Sequence, residues 1–332
     1  MKVFILTEGG KKIGLGHLMR CSALYGAFKY RGIRPLFIVN ADKSIKGILK
    51  KKKYAAFNWI KQENKLFDLI EGADIVVVDS YLAKEGIYKR ISEATRIAVF
   101  LDDNKRIDYP KGVVVNGGIY AKSLKYPRWK GLVYLLGPEY QPLRSEFLSM
   151  PAKKIRKHVK DIMITMGGDD PHNLTAKILR LCVKNYPHLE KKIIVGSYFK
   201  NAREIRESSD RLTELFYSPG ADKIKKVMLK SDIAITTGGQ TLNELARVGV
   251  PAIAVVTAEN QLANVLGWKK AGYVEYAGRW RDQERLLNNI LNFIKLLKSR
   301  QVRAVKNYAG KRRINGRGGS KVVQFLLNHL NT

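Results

Sequence analysis

The stretch that decides the fold is residues 2–31, KVFILTEGGKKIGLGHLMRCSALYGAFKYR. Lys2 to Leu6 is a run of successive apolar residues behind one lysine, which reads as a strand. A glycine-rich loop follows through Thr7-Glu8-Gly9-Gly10 and Ile13-Gly14-Leu15-Gly16-His17. From His17 to Arg31 the apolar residues Leu18, Cys21, Leu24 and Phe28 fall on one helical face, and Gly32 supplies a stop. Strand, glycine loop and helix in that order open a Rossmann-like layer. The glycines let a ligand approach the backbone, and the helix start presents unpaired N–H groups.

The same grammar continues downstream. Pro35–Val39, Asp74–Asp79, Arg96–Leu101 and Val113–Asn116 read as further strands, several of them apolar on successive residues. Such strands are covered on both faces, as in a parallel sheet between helices. The pattern restarts at Asp161–Met166, with Lys192–Val195, Ser231–Thr236 and Ala252–Val256. Between the two series lies Gly137 to Lys160, rich in proline and basic residues, which is read as the connection. The expected architecture is α/β, with two Rossmann-like domains facing across a cleft: an N-terminal domain over 1–150, a ligand-binding domain over 151–305, and a helical tail over 306–332. The tail would hold the helix Val322–Leu330. Leu287, Ile290, Leu291, Ile294 and Leu297 form a stripe that either packs inside the second domain or lies on a membrane.

Composition fits two packed domains: 332 residues, 45% hydrophobic and 27% charged. No apolar run approaches the ~18 residues that span a bilayer, and the first residues do not read as a signal peptide. Cys21 and Cys182 read as reduced, buried and structural, and the expected location is cytoplasmic. Lys and Arg total 61 against 29 Asp and Glu, a formal +32. Solvated faces, attraction to an anionic substrate or membrane, and nucleic-acid binding compete to explain it. Nucleic acid is disfavoured, because no aromatic-basic stacking motif or zinc pattern accompanies the charge.

Four segments fall where strands end and ligands bind in such sheets. Gly14 and Gly16 introduce His17, whose position at a helix start disfavours the imidazolium and leaves a neutral ring able to accept a proton. Gly167 and Gly168 open the second series, followed by Asp169-Asp170-Pro171. Adjacent carboxylates point apart, and Asp170 before proline reads as turn chemistry rather than a metal site; the same holds for Asp102-Asp103. Gly238 and Gly239 turn the chain into a helix near Gln240, where N–H groups and the hydroxyl of Thr241 suit a diphosphate, and Glu244 sits one turn inside to accept from ribose hydroxyls. Asn260 and Gln261 could read sugar or phosphate oxygens. The glycine spacing is not that of a dinucleotide fingerprint, which disfavours a nicotinamide, and no metal or other cofactor is expected.

These residues carry a resemblance. The stretches IGLGHLMR (13–20), VVVDSY (76–81), LDD (101–103), VNGGIYA (115–121), LGPEYQPLRSEF (136–147), ITMGGDDPHNL (164–174), LNELARVGVPAIAV (242–255) and AENQLANVLGWKKAGYVEY (258–276) resemble the UDP-2,4-diacetamido-2,4,6-trideoxy-β-L-altropyranose hydrolases of pseudaminic acid biosynthesis. These are GT-B relatives of the glycosyltransferase that makes lipid II. The likeness implies a GT-B fold, hydrolysis of a UDP-linked amino- or deoxy-sugar with inversion, His17 as catalytic base, Tyr81 in the substrate site, and Glu244 and Asn260 at UDP. An inverting UDP-sugar glycosyltransferase of surface polysaccharide synthesis is the alternative. The pair Lys11-Lys12 departs from the family's polar loop.

Overall fold

A computed structural model describes residues 1–10, 13–42 and 45–330. Lys11 and Lys12 therefore lie outside the described residues. The chain divides into two compact units, residues 1–145 with 316–332, and residues 146–315.

Unit 1 is built on a parallel sheet of β1 (Val3–Gly9), β2 (Leu36–Ala41), β3 (Tyr54–Ala56), β4 (Ile75–Asp79), β5 (Ile97–Leu101), β6 (Gly112–Asn116) and β7 (Leu132–Leu136). Their order across the sheet is β3-β2-β1-β4-β5-β6-β7. The order reverses between β1 and β4, whose register sets Thr7 beside Asp79. Helix α1 (Gly16–Tyr30) covers one face, joining Leu18, Leu24 and Phe28 to Ile5, Val77 and Val99. Helices α3 (Glu63–Ile70) and α4 (Glu85–Ala94) cover the other, where Leu66, Ile70, Ile87 and Ile91 meet Leu6, Val78 and Phe100. The short α2 (Lys46–Leu49) follows β2.

Unit 2 repeats the plan with β8 (Asp161–Thr165), β9 (Glu190–Val195), β10 (Thr213–Tyr217), β11 (Ile233–Thr237), β12 (Ala252–Val256) and β13 (Val274–Arg279). The order is β10-β9-β8-β11-β12-β13, again parallel, with its reversal between β8 and β11. Helices α5 (Leu174–Asn185), α6 (Ala202–Glu207), α7 (Ala221–Lys230), α8 (Gln240–Val248), α9 (Leu262–Lys270), α10 (Gln283–Leu296) and α11 (Arg300–Lys311) connect the strands or close the unit.

One expectation is corrected. Residues 306–332 are not a separate tail. Residues up to 315 belong to unit 2, and α12 (Gly318–Leu330) returns to unit 1, burying Val322, Val323 and Leu326 against the α1 face of the sheet. Gly318 seats it: a Cβ there would lie 2.2 Å from the carbonyl oxygen of Gln141, so only glycine permits this approach. Of the two readings of the stripe Leu287–Leu297, packing inside the second domain is the one observed. Leu286, Ile290, Ile294 and Leu297 are fully buried in the core of unit 2, and Leu287 and Leu291 pack against it. Among the described residues no helix is long and apolar enough to cross a membrane.

Candidate active site

Ligands in open parallel sheets sit beyond the strand ends where the order reverses. In unit 1 that point carries a connected set of charged groups. Gly14 takes a positive φ of 87° and closes the loop by exchanging backbone hydrogen bonds with Gly10, 2.8 and 3.0 Å long. The chain then enters α1, whose second residue is His17. The Nδ1 of His17 lies 2.6 Å from Oδ1 of Asp79 at the end of β4. A carboxylate oxygen only accepts, so Nδ1 carries the proton and Nε2 is the nitrogen left to accept one.

Arg20, one turn further along α1, donates to both oxygens of Asp79 at 2.7 and 2.9 Å, and to Asp103 at 2.5 Å. The Tyr81 hydroxyl donates to the other oxygen of Asp103 at 2.7 Å, and the Tyr81 ring stands edge-on to His17 with centroids 4.4 Å apart. Beneath them Glu8, wholly buried at the end of β1, accepts from the Ser80 hydroxyl and from the N–H groups of Tyr81 and Leu82. That fixes the loop carrying Tyr81.

The electrostatics follow from these contacts. Burial opposes ionisation of Asp79, but Arg20 and His17 outweigh it and hold the carboxyl well below the usual range. Burial alone would depress His17, yet the Asp79 carboxylate overcomes it and raises the ring above its ordinary 6.5. The expectation that the helix start keeps His17 neutral is thus reversed in direction. A full carboxylate charge at hydrogen-bond distance exceeds the half-charge of a helix end. Cys21, buried behind the pair, donates to Asp79, and burial pushes its thiol well up. Both Cys21 and Cys182 are free and buried.

In unit 2 the two glycine turns meet at the β8–β11 reversal. Positions where Gly167 and Gly239 would carry a Cβ lie 4.0 and 3.9 Å from the Thr237 hydroxyl. Gly238 is pressed against the next turn, with the carbonyl oxygen of Gln261 2.9 Å from where its Cβ would be, and its own carbonyl accepts from Asn264 at 2.8 Å. Gly239 is the N-cap of α8 and brings no side-chain cap. Gln240 and Thr241 form the first turn of α8, half-buried, and Glu244 lies one turn in, with 1% exposure. Asn260 is exposed, while the side-chain Oε1 of Gln261 accepts from the backbone N–H and hydroxyl of Thr257.

The α5 end differs. Asp170 accepts from Leu174 N at 2.9 Å and Thr175 N at 2.8 Å, so a protein carboxylate already occupies that helix start. Gly168 backs onto the neighbouring loop, where its carbonyl accepts from Tyr198. Reading Asp170 as turn chemistry agrees with this capping. Asp102 and Asp103 point apart as expected: Asp102 ties down its own loop through Lys105 N and Tyr109, while Asp103 faces Arg20 and Tyr81.

Sequence reasoning missed Asp79, Arg20 and Asp103. The signals were present. Asp79 ends the strand beside β1, and Arg20 falls three residues after His17, hence on the same helical face.

Residues 162–314, nearly all of unit 2, match the glycosyltransferase family 28 C-terminal domain. MurG of Acinetobacter baumannii superposes with a TM-score of 0.70 at 12% identity, covering 99% of this chain and 100% of that one. The fold is GT-B. Among relatives, an uncharacterized protein of Methanocaldococcus jannaschii is 27% identical over 79% of this chain, which spans only 57% of that protein. The spore coat polysaccharide biosynthesis protein SpsG of Bacillus subtilis is 24% identical over 98% of both chains. The UDP-2,4-diacetamido-2,4,6-trideoxy-β-L-altropyranose hydrolase of Campylobacter jejuni is 25% identical over 83% of this chain and 99% of its own. The resemblance to that hydrolase family therefore extends over most of this GT-B chain.

Proposed function

We propose that this chain hydrolyses a UDP-linked amino- or deoxy-sugar at its anomeric carbon, releasing UDP and free sugar with inversion. The observation that carries the proposal is the His17–Asp79 pair at the reversal point of unit 1. Asp79 holds the tautomer in which Nε2 takes a proton from water. The water oxygen forms its bond to the anomeric carbon as the bond to the UDP oxygen breaks, and UDP leaves with the electron pair. Arg20 keeps Asp79 ionised through each cycle, and Tyr81 holds the ring edge-on.

Unit 2 holds the nucleotide. The diphosphate lies against the first turn of α8 beside Gly238, Gly239, Gln240 and Thr241, where N–H groups and a hydroxyl stabilise the departing charge. Glu244 takes the ribose hydroxyls, and Asn260 and Gln261 the sugar or phosphate oxygens. Gly14 and Gly16 line the water side; Gly167 and Gly168 border the diphosphate from β8. The departing charge is assigned to the α8 end alone, because Asp170 already fills that of α5.

The named relatives support a role in nonulosonic acid or surface polysaccharide synthesis. Two free, buried thiols fit a reducing cytoplasm. The match to a glycosyltransferase domain favours one second reading, in which an acceptor hydroxyl replaces water. Incubating the protein with a panel of UDP-sugars and no acceptor separates them. UDP release at a turnover rate supports hydrolysis, and release only after adding an acceptor supports transfer.

A further inference from the structure

We propose that the outer face of α11 docks on an anionic lipid surface. The observation begins in the sequence: after Glu284 the chain carries no Asp or Glu through Thr332, while residues 285–332 hold 11 Lys and Arg. Structure then sorts these cations. On the inner side of α11, Arg303 approaches Asp232 at 4.0 Å and Lys306 pairs with Glu275 at 2.6 Å, both cations buried. Tight packing against α8 at Gly310, where a Cβ would meet the Ala246 carbonyl oxygen at 3.0 Å, fixes which side faces out.

Helical spacing puts Ala304, Val305, Tyr308 and Arg312 on the opposite side, with Arg300 and Lys311 on the flank. Val305 and Tyr308 are each 65% exposed, and the Arg312 guanidinium lies 5.4 Å from the centre of the Tyr308 ring. A valine and a tyrosine bordered by cations, on a helix without an acidic residue, are the make-up of an interfacial helix. Tyrosine favours the headgroup level, and each cation near an acidic bilayer adds a small, salt-screened attraction. The exposed apolar groups favour lipid over nucleic acid, whose phosphates would ask for cations and stacking alone. This surface lies on a different helix from the α10 stripe, which the core of unit 2 consumes.

The test is co-sedimentation of the full chain with phosphatidylcholine vesicles, with and without phosphatidylglycerol, at low and high salt. The wild type should pellet with the acidic vesicles at low salt, stay in solution with the neutral ones, and release as salt rises. Tyr308→Ser with Arg312→Glu should weaken binding at least about tenfold, and Arg312→Lys should retain it. All these side chains are exposed, so the melting temperature stays unchanged; Val305→Asp serves as an independent second variant. Failure to bind acidic vesicles, or wild-type binding by both variants, would overturn the proposal. So would a variant that loses duplex DNA binding or self-association while its vesicle binding is intact.

Discussion

Protonation of His17 is set by two opposed influences, and their balance is measurable. Burial lowers the ring and Asp79 raises it, with Asp79 prevailing. A base must be neutral to act, so kcat/KM should fall as pH drops through a value above 6.5, the ordinary histidine figure. Asp79→Asn removes the raising charge. Its acid limb should move to lower pH, while turnover falls by roughly 10⁴ through loss of the tautomer, the size known from the His–Asp pair of serine proteases. A limb that stayed in place would show that Asp79 does not govern the titration. His17→Asn should lower turnover by roughly 10²–10⁴ and leave UDP affinity unchanged; wild-type turnover would remove His17 from the chemistry. His17 itself was legible from its place after a glycine loop. Its direction of titration was not, because Asp79 lies 62 residues away and only the β1–β4 register brings it near.

At the scale of elements, the strands that the sequence revealed are the central ones. β4, β5, β8, β11 and β12 are buried at every position, and this gives the uninterrupted apolar runs that were read. The strands missed are β3, β7, β10 and β13, which are the four sheet edges. Tyr54–Ala56 and Thr213–Tyr217 alternate exposure and carry no such run. An edge strand is defined by the neighbour it pairs with, and its own residues say little. Helix starts behave likewise. The α5 and α8 ends read alike in sequence, and only the Asp170 contacts tell them apart. Asp170→Ala should therefore destabilise unit 2 by about 1–2 kcal/mol in a melt, the usual cost of a lost cap, without changing the Kd of UDP. A fall in UDP affinity at unchanged stability would place the α5 end in the phosphate site. Gly238→Ala should do the opposite at α8. Its Cβ would run into Val265 and the Gln261 backbone, so the α8 turn must shift and UDP should bind more weakly.

For the whole molecule, the repeated plan was readable because both halves obey the same rule, with a glycine turn after the first strand of each sheet. The return of α12 to unit 1 was not, since nothing in Val322–Leu330 specifies which hydrophobic face it will cover. Gly318 gives a handle on it: Gly318→Val should unseat α12 from Gln141 and lower the melt of unit 1 by about 1–3 kcal/mol, the range for overpacking. The central claim concerns water. Turnover of a UDP-sugar in H₂¹⁸O without acceptor, followed by mass spectrometry and NMR of the sugar, tests it most directly. The account predicts one ¹⁸O at the anomeric carbon, none in UDP, an inverted anomer at the first time point, and loss of the signal in His17→Asn. Label in the UDP, a retained anomer, or no release until an acceptor hydroxyl is supplied would contradict it.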